Sequence, residues 1–253
     1  MNPFLADHPQ PLIVAHRGAA AHAPENTLAA FQAAVELHAD AIELDVTLSR
    51  DGQIVVIHDD TVDRTTDGRG RVADMPYHDL KYLDAGSKFG ARFSGERIPL
   101  LSQVFEAVGR RVLINIELKN LKVRGAGLEQ AVIDLIRRHD LIERVILSSF
   151  NPLSLMSVKR LAPRLACGLL YSPDEVFFLS RAWLAPFIPH LDARHPRHDQ
   201  ITPQAVKSFH ARGQRVFVWT VNDQATARRL IAAGVDGLIG DDPVLLRDAL
   251  SPA

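Results

Sequence analysis

The chain has 253 residues, 47% of them hydrophobic and 23% charged, enough apolar material for a sizeable core and a composition that excludes global disorder. Basic and acidic side chains nearly cancel, 29 against 30, which removes the electrostatic case for nucleic acid or an anionic membrane as a partner of the whole surface. Cys167 is the only cysteine; with no basic-then-apolar leader in the first eleven residues and no apolar stretch near the roughly 18 residues of a membrane span, a cytoplasmic protein without stable membrane association is expected.

Apolar, β-branched runs alternate with helical-period segments along the chain. A strand is predicted at Leu12–Ala15, a helix over Asn26–Leu37 and a second strand at Ala41–Val46. Asp51-Gly52 turns the chain back into a hairpin strand at Ile54–Ile57. The stretch Asp59–Pro99, rich in Asp, Arg and Gly, reads as an insertion with short helical structure around Pro76–Leu83. Regular alternation resumes with a strand at Val112–Leu118, a helix at Leu128–His139, a strand at Val145–Ser148, a helix at Pro152–Leu161 and a strand at Cys167–Tyr171. A weaker strand near Leu191–Arg194 precedes a helix at Pro203–Arg212. Strands at Arg215–Val221 and Val235–Ile239 precede helices at Asp223–Ala233 and Pro243–Leu250. Eight strands besides the hairpin strand, most followed by a helix, predict an α/β fold: a (β/α)8 TIM barrel as a single domain over residues 1–253, with the insertion at about 59–99 after the second strand. An open doubly wound sheet is the structural alternative. Long excursions on the loop side of such folds are functional more often than accidental.

Polar groups gather where those strands end, which is where α/β enzymes keep their sites. Glu43 and Asp45 are two apart in a strand, so both point to one face while Ile42, Leu44 and Val46 point to the other. A buried like-charge pair needs a cation or a proton, or else barrel Arg and Lys partners. Asn115, Glu117 and Lys119 repeat the pattern on the strand ending at Leu118. Glu43, Asp45 and Glu117 together offer three oxygen ligands, a set suited to a hard divalent cation such as Mg²⁺ or Ca²⁺; the alternative is a structural Glu117–Lys119 arrangement. His16 follows the first strand and His58 ends the hairpin strand, and two histidines can divide general acid and base work near neutral pH. Arg17 is a natural fork for a phosphate and Lys119 a point charge for one, while the small Gly18 allows close backbone approach. Pro24-Glu25-Asn26-Thr27 reads as a helix start capped by Asn26, or as a group that reaches the metal or substrate. Trp219 and Asn222, at the end of the seventh run, offer an aromatic wall and an amide to a polyol, or else a core side chain and a helix cap. His195, after the weak strand, is placed to line the mouth; the remaining histidines are assigned no chemistry. No Gly-rich nucleotide loop and no Ser-centred elbow is present.

The ordered set His16-Arg17-Gly18, Pro24-Glu25-Asn26-Thr27, Glu43-x-Asp45, His58-Asp59, Arg64-Thr65-Thr66 with Gly68 and Gly70, Ile98-Pro99, Glu117-x-Lys119, Trp219-Thr220-Val221-Asn222 and Asp236-Gly237 resembles the glycerophosphodiester phosphodiesterase family over nearly the whole length. The resemblance implies a TIM barrel that hydrolyses glycerophosphodiesters, such as glycerophosphocholine or glycerophosphoethanolamine, to glycerol 3-phosphate and an alcohol. It implies His16 and His58 as the acid/base pair. Glu43, Asp45 and Glu117 become ligands of one divalent cation, Mg²⁺ or Ca²⁺ with Mn²⁺ a further candidate. Arg17 and Lys119 fall on the phosphate, Asn26 lines the site and Trp219 walls the glycerol pocket. Gly240 stands where the family often has Thr, so no hydroxyl contact is expected there. The competing readings are phospholipase D-like action on lysophospholipids, which needs an apolar entrance that the polar stretch Asp63–Arg71 does not offer, and a non-catalytic glycerophosphodiester binder.

Overall fold

The computed structural model of the chain describes residues 2–120, 127–172, 188 and 190–251. Eight parallel strands close on themselves: β1 (Leu12–Ala15), β2 (Ala41–Leu48), β4 (Leu113–Leu118), β5 (Val145–Ser149), β6 (Ala166–Tyr171), β7 (Ala193–Pro196), β8 (Arg215–Val218) and β9 (Gly237–Gly240), the last pairing with β1. The ninth, β3 (Ile54–Val56), runs antiparallel on the far end of β2, with Val46 opposite Val56. The fold is a (β/α)8 TIM barrel, and the open-sheet alternative falls with the β9–β1 and β1–β2 pairings.

The helices are α1 (Leu28–Glu36), α2 (Tyr77–Leu80), α3 (Leu101–Val108), α4 (Leu128–Arg138), α5 (Pro152–Leu161), α6 (Pro203–His210), α7 (Gln224–Ala233) and α8 (Pro243–Asp248). Side-chain caps fix several starts: Thr27 accepts from the Ala30 N–H, Thr202 from Ala205, Asp223 from Thr226 and Asp242 from Val244. The expected caps Asn26 and Asn222 are each displaced by one residue, because both amides are used elsewhere. Sequence reading passed over α3, which buries Leu101, Val104, Phe105 and Val108 on one helical face; it follows the insertion rather than a strand, so the strand-then-helix rhythm did not reach it. The weak strand lies two residues later than expected. Asp192, just before it, bonds the flanking strands through its backbone, its N–H donating to the Cys167 carbonyl and its carbonyl accepting from the Arg215 N–H, while its carboxylate accepts from the Cys167 N–H at 2.8 Å and from Lys159 Nζ at 2.6 Å.

Strand alternation sorts the core. Ile42, Leu44, Val46, Ile114, Ile116 and Leu118 face the helices with Phe31 and Val104, while Ala41, Leu113, Ile146, Ala166 and Phe217 fill the barrel's lower half. Phe4, on a one-turn 3₁₀ helix at Pro3–Leu5, meets Phe217 edge-on at 5.6 Å and plugs the N-terminal end. Burying each such side chain contributes about 1.5–3 kcal/mol. The insertion carries its own small core of Val62, Val72, Leu80, Ala85 and Ile98 against Val55 and Ile57. Among the described residues no helix is long and apolar enough to cross a membrane.

Candidate active site

β2 and β4 lie side by side, with Glu43 opposite Asn115 and Asp45 opposite Glu117. Above the apolar floor, the inward positions therefore turn polar on both strands at the same height. One carboxylate oxygen from each of Glu43, Asp45 and Glu117 lies within 4.8 Å of the others, and all three residues are buried. Lys119 Nζ sits 2.7 Å from Glu117 Oε1 and 3.1 Å from Asp45 Oδ1. The Arg17 backbone N–H donates to Glu43 Oε2 at 2.9 Å, and Arg17 Nε stands 3.5 Å from Asp45 Oδ2, an ion pair too long for a hydrogen bond.

Burial, reinforced by the charge of Asp45, pushes the Glu43 carboxyl up to about 8. Burial also raises Glu117, against the pull of Lys119. Asp45 goes the other way: burial would raise it, but Lys119 and Arg17 outweigh burial and hold it well below the usual carboxylate range. Lys119 is likewise raised, because Glu117 and Asp45 more than offset the cost of burying its charge. A site of one firmly ionised and two reluctant carboxylates is one in which a cation replaces protons. Three carboxylate oxygens with no thiol or imidazole among them fit a hard divalent ion.

Both histidines are tethered through Nδ1. His16 shares a 2.6 Å hydrogen bond with Asp241 Oδ1, and His58 one of 2.6 Å with Asp59 Oδ1. Burial works against a charged His16, but the Asp241 bond and the nearby Glu43 charge prevail and raise it above its ordinary value. Asp241 is in turn clamped by Asn222, whose Nδ2 donates to Oδ2 at 2.5 Å while the Asp241 N–H donates back to Asn222 Oδ1 at 3.0 Å. Asp59 takes Nε of Arg64 at 2.6 Å, and this bond, with that to His58, lowers its carboxyl to about 2. Arg64 also bonds Glu25 at 2.6 and 2.8 Å, and Glu25 accepts from Arg17 at 2.8 Å. Two glycines fix the backbone around His16. Gly18 has φ of 83°, and a Cβ there would meet Ala30 at 2.7 Å; one on Gly240 would meet the Val221 carbonyl oxygen at 2.1 Å, so no Thr fits where the family often has it.

His16, Arg17, Glu43, His58, Glu117, Lys119 and Trp219 line one cavity of about 490 Å³ at the carboxyl ends of the strands. Trp219 donates Nε1–H to the His195 carbonyl at 2.8 Å and meets Phe150 edge-on at 5.6 Å, forming an apolar wall across from the carboxylates. Asn26 stands behind Asp45 instead: it is 4% exposed, its Nδ2 donates to Asp45 Oδ2 at 2.9 Å, and its Oδ1 accepts from the Asp45 N–H at 3.3 Å. Its φ of 57° turns the side chain there rather than onto the helix it precedes. His195 does not reach the mouth. It is 1% exposed beside Phe217, neither ring nitrogen has a hydrogen-bond partner among the described residues, and burial pulls its pKa down to about 3. Sequence reasoning gave no role to Asp241, Arg64, Phe150 or Ser148, all of which sit at this mouth or tie its residues together. The available signal for Asp241 was an acid directly after the last strand, level with His16 once the barrel closes.

Residues 16–245 match the glycerophosphoryl diester phosphodiesterase family. The chain is 48% identical over 236 residues to the glycerophosphodiester phosphodiesterase of Caldanaerobacter subterraneus subsp. tengcongensis, covering 93% of this chain and 96% of that one. Among solved structures it resembles the Oleispira antarctica phosphodiesterase OLEI02445 in complex with the product sn-glycerol-3-phosphate, with 34% identity, a TM-score of 0.83, and coverage of 95% and 97%. It also resembles the glycerophosphodiester phosphodiesterase of Agrobacterium tumefaciens str. C58, with 31% identity, a TM-score of 0.79, and coverage of 94% and 99%. With the family match over most of its length and relatives of 30% identity or more covered almost end to end, this protein belongs to the glycerophosphoryl diester phosphodiesterase family.

Proposed function

We propose that the chain hydrolyses glycerophosphodiesters, such as glycerophosphocholine and glycerophosphoethanolamine, to glycerol 3-phosphate and an alcohol, with barrel and insertion acting as a single domain over residues 1–253. The observation that carries this reading is the placement of two carboxylate-tethered histidines and a three-carboxylate cluster around one cavity. Glu43, Asp45 and Glu117 would hold one divalent cation, Mg²⁺ or Ca²⁺ with Mn²⁺ a further candidate. Such an ion supplies Lewis-acid withdrawal of charge from phosphorus and orientation of the diester.

The chain's own groups do the rest. Nδ1 of His16 and of His58 is committed to a carboxylate, so Nε2 is the working atom of each ring: one takes a proton from the attacking oxygen while the other returns one to the departing alkoxide. Asp241 and Asp59 fix the tautomer and stabilise the charged ring after it gains a proton. Arg17 and Lys119 bind phosphate oxygens, and Trp219 with Phe150 covers the glycerol carbons. Asn26 contributes by holding Asp45 rather than by touching substrate.

The stretch Asp63–Arg71 is polar and largely exposed, which does not favour a lysophospholipid, and every position a hydrolase needs is filled, which leaves the non-catalytic binder without support. Cys167 is buried, and burial pushes its thiol up to about 12; a cytoplasmic setting is part of this proposal. The test is release of glycerol 3-phosphate from glycerophosphoethanolamine. Chelation should abolish it and added Mg²⁺ or Ca²⁺ restore it, while His16→Ala or His58→Ala should each lower kcat/KM by about 10²–10⁴. Full activity in either variant would overturn the reading.

A further inference from the structure

Two cavities open at the mouth, and His16 and Arg17 are the residues that line both. The larger holds the carboxylates and the aromatic wall. The second, of about 320 Å³, lies between the β1–α1 loop and the insertion and is bounded by Glu25, Arg64, Lys88 and Phe89. Its size falls at the lower end of small-molecule sites, about 300–1,000 Å³. A phosphodiester has two ester arms. With the glycerol arm beside the carboxylates, the phosphate meets Arg17 where the cavities join, and the other arm enters the second cavity.

The charges in that second cavity do not cancel. Arg17 and Arg64 share Glu25, and each reaches a further carboxylate, Asp45 and Asp59 respectively. Asp241 is taken by His16 and Asn222. Lys88 differs: its Nζ donates to the neutral Asp63 carbonyl, and among the described residues no carboxylate lies within ion-pairing distance of it. Phe89, 43% exposed and edge-on to Phe93, lies next to it and gives the cavity an apolar flank. One uncompensated ammonium beside an apolar flank suits a short carbon chain ending in an anion.

We propose that the second cavity receives the departing alcohol and that Lys88 makes it selective for an alcohol carrying an anionic group such as a carboxylate. This rests on the hydrolase reading above. Glycerophosphoserine and glycerophosphoethanolamine differ by one carboxylate, so the ratio of their kcat/KM values isolates the contact. The wild-type ratio should favour glycerophosphoserine. An exposed ion pair of this kind predicts that Lys88→Gln lowers the ratio about threefold and Lys88→Glu about tenfold, while Lys88→Arg keeps it. Lys81→Gln, on the insertion where Lys81 lies over the Tyr82 ring, should leave the ratio unmoved. A ratio that stays constant across Lys88→Gln and Lys88→Glu while both diesters are still hydrolysed overturns this inference alone. Wild-type protein that hydrolyses neither diester overturns the hydrolase reading and this inference with it.

Discussion

Each histidine is bonded to a neighbour that is itself held. His16 bonds Asp241, and Asp241 bonds Asn222; His58 bonds Asp59, and Asp59 bonds Arg64. Asp241→Asn removes the negative charge that helps raise His16 and leaves only an amide oxygen to accept its hydrogen bond. The pH limb of kcat due to His16 should move to lower pH in that variant, and kcat should fall by about 10²–10⁴; an unmoved limb would show that Asp241 does not set the histidine. Asn26 acts on the carboxylates in the same indirect way. Asn26→Ala should weaken Mg²⁺ binding, measured by calorimetry, by about 10–100-fold. The histidines were legible in the sequence, but the partners that hold them were not. His16 and Asp241 are 225 positions apart, and only the closing β9–β1 pairing brings them together. Asn26 reads both as a helix cap, because an Asn before a helical run usually is one, and as a site-lining group; its bonds run to Asp45.

At the scale of elements, what was legible followed from the period of two. Alternation along β2 and β4 sent Ile42, Leu44, Ile114 and Ile116 to the helices and Glu43, Asp45 and Glu117 to the mouth, as the side-chain order alone requires. Elements whose pattern depends on distant partners were read less well. The strand near Leu191 begins two residues later than expected because its sequence, Ala193-Arg194-His195-Pro196, has no apolar alternation to mark it, and α3 was passed over despite a clean apolar stripe because a 41-residue excursion precedes it. Leu44 is fully buried in the strand–helix layer. Leu44→Ala should therefore cost about 2–5 kcal/mol in urea unfolding; a loss below about 1 kcal/mol would mean the layer refills the space.

Across the whole molecule the carboxylate cluster links the metal to stability. Glu43 sits near 8 in the folded chain against 4.5 for an ordinary Glu, and Glu117 is raised as well. Between those values the folded state keeps a proton the unfolded state has lost, so stability from these groups is full below about 4.5 and is lost as pH rises towards 8. Asp45 has the opposite sign, its contribution being lost only as pH falls below the usual Asp range. In chelator the melting temperature should fall from pH 5 to pH 8. A divalent cation replaces the retained protons, so the rise in melting temperature on adding Mg²⁺ should be larger at pH 8 than at pH 5. Scanning calorimetry at the two pH values decides it; an equal rise at both would contradict the linkage.

The two ends of the insertion lie side by side, and this has a consequence for the site. The Val56 N–H donates to the Pro99 carbonyl at 2.9 Å and Val55 bridges Leu100, so the stretch 59–99 leaves and rejoins the barrel at neighbouring points on β3. It is a cassette with two adjacent seams. The barrel strands own the carboxylates, while the cassette owns Asp59, Arg64, Lys88 and Phe89. A substitution within this stretch can therefore change what lies beside the second cavity, or how His58 is held, without touching the strands that carry Glu43, Asp45 and Glu117.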